Sequence, residues 1–231
     1  MSLKNLGMFL AGITLGAGAI YYLNKLEDAE NTKNESLIMI NVELENKEYK
    51  LPIPASEYFE FKQKPHPISL EKLTDYVSYN NETIKKRARF LTKKIYSKEK
   101  RAQRLLDFVH SHLYDASIKK VAKQVKYPIE TLVERCGDCE DLAILGAALM
   151  KSIRIDVALI YFPPLKDKKL WGHIALGVNG NFYGKYYEKD GKKYFYAETT
   201  GTDWNFERAS WKIGQIPKQF ENRKAKLFVV K

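Results

Sequence analysis

Cysteine is scarce in this chain. There are two in 231 residues, Cys136 and Cys139, within the one run Cys136-Gly137-Asp138-Cys139. That excludes a disulfide framework. Histidine is scarce too, at positions 66, 110, 112 and 173, and none of the four has the spacing that would complete a zinc site with the cysteines. A thioredoxin-type use of the pair requires a strand just before it, and no strand pattern stands there. What remains is a catalytic thiol or two structural cysteines, with no metal and no cofactor implied.

Repeats and low-complexity tracts are missing as well. With 45% hydrophobic and 29% charged residues the chain reads as folded, long enough for one sizeable core and an extension. Acidic residues are in deficit, 28 against 39 basic, for a net charge of +11. Such an excess favours an anionic partner, either a lipid surface or an acidic polymer. No nucleic-acid motif accompanies the charge, so no specific nucleic acid is expected.

Residues 6–23 carry no charge, follow Lys4 and end in Tyr21-Tyr22. As a helix they would rise about 27 Å, close to the ~30 Å hydrocarbon thickness, with the tyrosines at the interface. Gly12-Ile-Thr-Leu-Gly16 adds a weak helix-packing motif. The segment reads as an N-terminal transmembrane helix. Ala17-Gly-Ala19 keeps a cleaved signal open, and a buried core helix is disfavoured by the glycines. The expected localisation is a single-pass membrane protein with its main domain outside the cytoplasm, or a secreted one if the segment is cleaved.

The expected organisation is 1–26 anchor or signal, 27–37 linker, 38–70 a β-hairpin extension and 71–231 the main domain. Alternation at Ile38, Ile40, Val42 and Leu44, then Tyr49, Leu51 and Ile53, predicts the hairpin. Pro52, Pro54, Pro65 and Pro67 are expected to break regular structure after it. Residues 71–113 are expected to be helical, with apolar stripes Ile84, Ala88, Leu91, Ile95 and Ala102, Leu105, Leu106, Val109, Leu113. Residues 85–104 hold ten basic residues against one acidic, Glu99. They form either a solvated face or a surface for anionic lipid or polymer. His66, His110 and His112 read as surface or boundary residues. Strands are expected at 155–162, 171–178, 193–199 and 225–230.

Residues 142–150 contain only Leu, Ala, Ile, Gly and Met, so this helix should be buried. Asp138 suits its N-cap, with Asp141 three positions later. Cys139 then falls in the first turn, where backbone N–H groups and the helix dipole favour a thiolate and can bind an oxyanion. Glu140 and Asp141 oppose ionisation, so they must point away or pair, for instance with Arg135.

These residues resemble the transglutaminase-like superfamily. The resemblance runs from the helix Ala102–Leu113 through Tyr127-Pro-Ile-Glu-Thr-Leu132, Cys136-Gly-Asp-Cys-Glu-Asp-Leu142 and Gly172-His-Ile-Ala175 to Ala197-Glu-Thr-Thr200. It implies an α+β, papain-like fold in which the helix carrying the cysteine packs on an antiparallel β-sheet. It also implies Cys139 as nucleophile, His173 as general base and acid, and Glu198 as the orienting acid where aspartate is usual. The activity implied is acyl transfer on a protein or peptide substrate. Hydrolysis is favoured over amine transfer because the chain is small, and a membrane-tethered binding module without turnover is the rival.

The strands offer one geometric check. If 171–178 and 193–199 pair with partners summing to 371, His173 lies directly across from Glu198, within hydrogen-bonding reach. Asn179–Lys192 then becomes a protruding connection. A tight turn at Asn179-Gly180 is the competing reading and would separate the two. Trp171 shares a face with His173 and is the candidate wall of a substrate cleft; Trp204 and Trp211 read as core. A Cys136–Cys139 disulfide, if formed, would inactivate the enzyme.

Overall fold

A computed structural model describes residues 36–66, 69–114, 124–165, 172–200 and 211–231. The expected transmembrane segment, Trp171 and Trp204 lie outside them. Among the described residues, no helix is long and apolar enough to cross a membrane.

The chain opens with β1 (Leu37–Leu44) and β2 (Lys47–Pro54), paired antiparallel around a two-residue turn at Glu45-Asn46. The inner residues Ile40, Val42, Leu51 and Ile53 are buried in the same core as the helices that follow. The prolines do less than the sequence implied. Pro52 stays within β2, an edge position a two-stranded ladder tolerates. Pro54 caps α1 (Ala55–Gln63), a helix not anticipated, which buries Tyr58 and Phe61.

The stretch expected to be helical divides in three: a 3₁₀ turn at Leu70–Tyr76, α2 (Glu82–Leu91) and α3 (Lys98–His110). Asn81 and Ser97 cap the two helices through their side chains, accepting from the amides of Ile84 and Lys100. Leu113 is not part of the stripe. It is exposed, and with Tyr114 forms β3, bridged in parallel to β4 (Cys136–Gly137). Between these, α4 (Pro128–Glu134) begins on a proline that needs no N–H in the first turn.

The central helix α5 (Cys139–Ser152) is buried nearly all round. It packs against α2, α3, α4 and a sheet of β5 (Val157–Phe162), β6 (His173–Val178), β7 (Tyr186–Lys189), β8 (Lys192–Ala197) and β9 (Lys226–Val229). The strand order is β7-β8-β6-β5-β9, antiparallel throughout. Gly146 lets the helix approach closely, since a Cβ there would lie 3.1 Å from Leu176. The sheet's other face carries a smaller cluster of Ile160, Phe162, Ala175, Tyr196 and Phe220. This is the α+β arrangement expected, a cysteine-bearing helix on an antiparallel sheet.

The register of β6 and β8 corrects the expected one. Leu176 faces Ala197, Gly177 faces Tyr196 and Val178 faces Phe195. This is a shift of two residues, which preserves the face each side chain points to. The cause lies outside the pair. β7 and β8 form a hairpin on Asp190-Gly191, both at positive φ, inside what was expected to be a protruding connection. Asn179-Gly180 makes no tight turn; the chain runs on to Gly184, where it crosses Gly214 backbone to backbone. A Cβ on Gly214 would lie 1.8 Å from the Tyr183 carbonyl oxygen, and both glycines hold positive φ. The crossing clamps Tyr196, whose N–H donates to Lys185 O and whose carbonyl accepts from Gly214 N.

Candidate active site

The chain's own connections bring one end of α5 to one end of the sheet. A short turn links α5 to β5, so the two run antiparallel; β6 is antiparallel to β5 and therefore parallel to α5. β8 opposes β6. The start of α5, the start of β6 and the end of β8 thus share one edge of the domain. Cys139, His173 and Glu198 stand at those three places. From the contact of Gly146 with Leu176, seven helical residues back to Cys139 span about 10.5 Å, and three strand residues back to His173 about 10 Å.

Asp138 caps α5 as its sequence suggests, its side chain accepting from Glu140 N at 3.0 Å and Asp141 N at 3.2 Å. Asp141 returns the bond by accepting from Asp138 N. It turns inward, taking a second bond from Lys126 N at 2.8 Å. Burial, only partly offset by these bonds, raises its carboxyl to about 6. Glu140 does not point away from the thiol: Cys139 Sγ donates to Glu140 Oε2 at 2.9 Å. Arg135, the expected partner of the two acids, donates to the carbonyls of Asn41 and Ser111. Neither cysteine is in a disulfide; Cys139 is buried and Cys136 half-buried.

His173 Nε2–H donates to Glu198 Oε1 and Oε2 at 3.1 and 3.2 Å. The shifted register makes this a diagonal contact, and the extra methylene of glutamate supplies the reach. Glu198 also accepts from the Tyr196 hydroxyl, from Thr199 N and Thr200 N at 3.1 Å each, and from Thr200 Oγ1 at 2.8 Å. Burial alone would raise this carboxyl. His173 and the hydroxyls of Tyr196 and Thr200 outweigh it and hold the group down at about 2. The Tyr196 hydroxyl is pushed well above its ordinary value by burial, then by Glu198 and, further down, by Cys139.

The ring of His173 stacks on Phe220 at 4.5 Å between centroids and 14° between planes. The Arg223 guanidinium covers Phe220 from beyond. Tyr196 and Phe220 were not singled out in the sequence, and Thr200 entered only as the end of the Ala197–Thr200 run. Tyr196 was within reach, because two residues before Glu198 on a strand means the same face; nothing signals Phe220. His110, read as a boundary residue, bonds the Glu198 carbonyl through Nε2 at 2.7 Å, and burial lowers its pKa. His112 is buried and drops to about 3, chiefly by burial, with Arg135 adding to it. His66 is a half-buried boundary residue, as read, and bonds buried Glu130 at 2.8 Å. Trp211 is half-buried.

Among the described residues, one group of metal-type donors exists: Asp138, Cys139 and Glu140, with ligand atoms within 4.8 Å of one another. The Asp138 carboxylate there already caps α5, so a cation would share it with two backbone amides.

A family model described as a transglutaminase-like domain matches residues 69–197, more than half of the chain. The chain belongs to the transglutaminase-like family. No curated protein matches it. Solved structures similar to this transglutaminase-like chain include EGTA-treated LapG of Legionella pneumophila, at 18% identity over 72% of this chain and 88% of that one, with a TM-score of 0.43. A provisionally assigned cysteine protease from Cytophaga hutchinsonii shares 19% identity over 54% of this chain, with a TM-score of 0.42. This chain spans 38% of that protein's length. A protein described as a TGase shares 13% identity over 85% of this chain and 51% of that one, at a TM-score of 0.38. Likenesses this distant say nothing of substrate or reaction.

Proposed function

We propose that the protein is a cysteine-dependent acyl-transfer enzyme that hydrolyses a peptide or amide bond through a thioester. The observation that carries this is the buried His173–Glu198 pair at the edge where α5 begins with Cys139. With Nε2–H committed to Glu198, Nδ1 of His173 is the nitrogen left to take the thiol proton. The Cys139 sulfur then attacks the substrate carbonyl carbon, and the Cys139 N–H helps hold the oxyanion at the helix start. As the intermediate collapses, the C–N bond breaks and the leaving amine takes the proton from His173. Water, deprotonated by His173, attacks the thioester and releases the acid and the thiol. An amine in place of water would give transamidation from the same intermediate. We further propose that residues 6–23 tether the enzyme to a membrane, with the domain outside the cytoplasm.

The Cys139–Glu140 hydrogen bond favours a second reading, a membrane-tethered binding module, because a carboxylate holding the thiol proton opposes thiolate formation. Alkylation separates the two. A nucleophilic Cys139 reacts rapidly with iodoacetamide near neutral pH and loses that rate in His173→Ala. Slow labelling unchanged by that substitution sinks the enzyme. Mass spectrometry of an envelope extract, treated with the protein or with Cys139→Ala, then reads cleavage against new cross-links.

A further inference from the structure

At the end of α5 away from Cys139, α2, α3, the last residue of α5 and the two after it border an open cleft of about 210 Å³ lined by Arg89, Arg101, Ser152, Ile153 and Arg154. It lies thirteen residues along the helix from the thiol, about 20 Å away. Three arginines border the cleft and no acidic residue does. Of the carboxylates in this part of the chain, Glu45 pairs with Arg104 and Asp156 with Lys151 and Lys192, while Glu82 pairs with Lys85 and only secondarily feels the charge of Arg89. Arg101 Nε–H is buried with no hydrogen-bond partner, an arrangement that is costly unless an acceptor arrives.

Arginines near a helix C-terminus often serve its carbonyls. Here those acceptors are already engaged: Leu149 O takes the Ser152 hydroxyl, Met150 O the amides of Ile153 and Ile155, and Lys151 O that of Arg154. Arg154 also holds φ at +66°, a left-handed position that glycine or asparagine ordinarily fills. Like charges converging on one cleft repel each other, and an anion removes that repulsion.

We propose that this cleft is a binding site for a phosphate group. A carboxylate has two oxygens and is satisfied by one guanidinium fork, whereas phosphate offers enough acceptors for all three arginines. The group can come from free phosphate or from an anionic lipid headgroup. The inference is independent of the chemistry at Cys139, and gives the basic run 85–104 a specific partner chemistry through two of its arginines.

The test is the thermal midpoint of the full chain in neutral detergent, with sodium phosphate against sodium chloride at matched ionic strength. A parallel arm uses dihexanoyl phosphatidylglycerol below its micellar concentration against dihexanoyl phosphatidylcholine. The expected result is a midpoint raised by the phosphate-bearing ligand and reduced to the control value in Arg101→Gln and in Arg154→Gln. Arg154 is exposed, so its variant reports even if Arg101→Gln fails to fold. A rise with inorganic phosphate alone identifies a soluble source, and a rise at lower concentration with the anionic lipid identifies the headgroup. No rise in either arm, or the same rise in wild type and Arg154→Gln, overturns the proposal.

Discussion

Tyr196 and His173 donate to the same carboxylate, that of Glu198, from one face of two neighbouring strands. Tyr196 therefore shares in holding the acid that orients the histidine. A hydrogen bond to a charged group contributes about 1.5–3 kcal/mol, so Tyr196→Phe is expected to slow Cys139 alkylation and turnover by roughly tenfold or more. The secondary structure should be unchanged by circular dichroism. Full reactivity in this variant would mean that the hydroxyl bears no part in the alignment.

Glu198→Asp is expected to behave as a loss rather than a conservative change. The shorter side chain cannot span the diagonal from β8 to His173. Its labelling rate should fall close to that of Glu198→Gln. An aspartate variant of near-normal rate would show that the pair readjusts, by backbone movement at the end of β8.

Acid should destabilise the protein in two stages. Glu198 is held at about 2 when folded, against an ordinary 4.5, so the unfolded chain takes up that proton first. Its contribution is complete above the unfolded value and is lost as pH falls from about 5 towards 2. His112, near 3 when folded against an ordinary 6.5, acts the same way from pH 7 downward. Asp141 runs opposite: its folded value of about 6 lies above 3.8, so protonation favours the fold as pH falls through that window. Melts of His112→Gln should show a flatter slope between pH 7 and 4 than wild type. An unchanged slope would remove His112 as its cause.

Glu134 joins Lys62 at 2.8 Å and Lys126 at 2.7 Å and accepts from Tyr58 at 3.0 Å, tying α1 to α4 and to the segment before it. Removing Glu134 takes the carboxylate away from largely buried Lys126, while Lys62 keeps Glu130 at 3.4 Å. Glu134→Gln is expected to cost about 3 kcal/mol, discounted for the partial exposure of Lys62, read from the urea midpoint. A change below roughly 0.5 kcal/mol would place the cluster among surface pairs.

Much of the site was legible because it depends on local rules. The N-cap at Asp138 put Cys139 in the first turn, and the two-residue period of strands put His173 and Glu198 on one face. The register was not legible from β6 and β8 alone. It is set by the Asp190-Gly191 hairpin and the crossing at Gly214, which lie outside the pair. Phe220 is 47 residues beyond His173, and no periodicity connects them. The bond from His110 to the Glu198 carbonyl arises from helix packing across 88 residues. Helix α1 was obscured by prolines that sit at its start and on an edge strand, the two places where they are tolerated.

The backbone crossing of Gly184 and Gly214 makes the position of Tyr196 the joint property of three stretches of chain. A methyl group on either glycine forces the strands apart at the same point, so damage from the first substitution is largely spent before the second is made. Effects of changes at the two sites should therefore fall well short of additive. The loops beyond the crossing, by contrast, can be lengthened or shortened without moving the tyrosine, as long as the two glycines stay in contact.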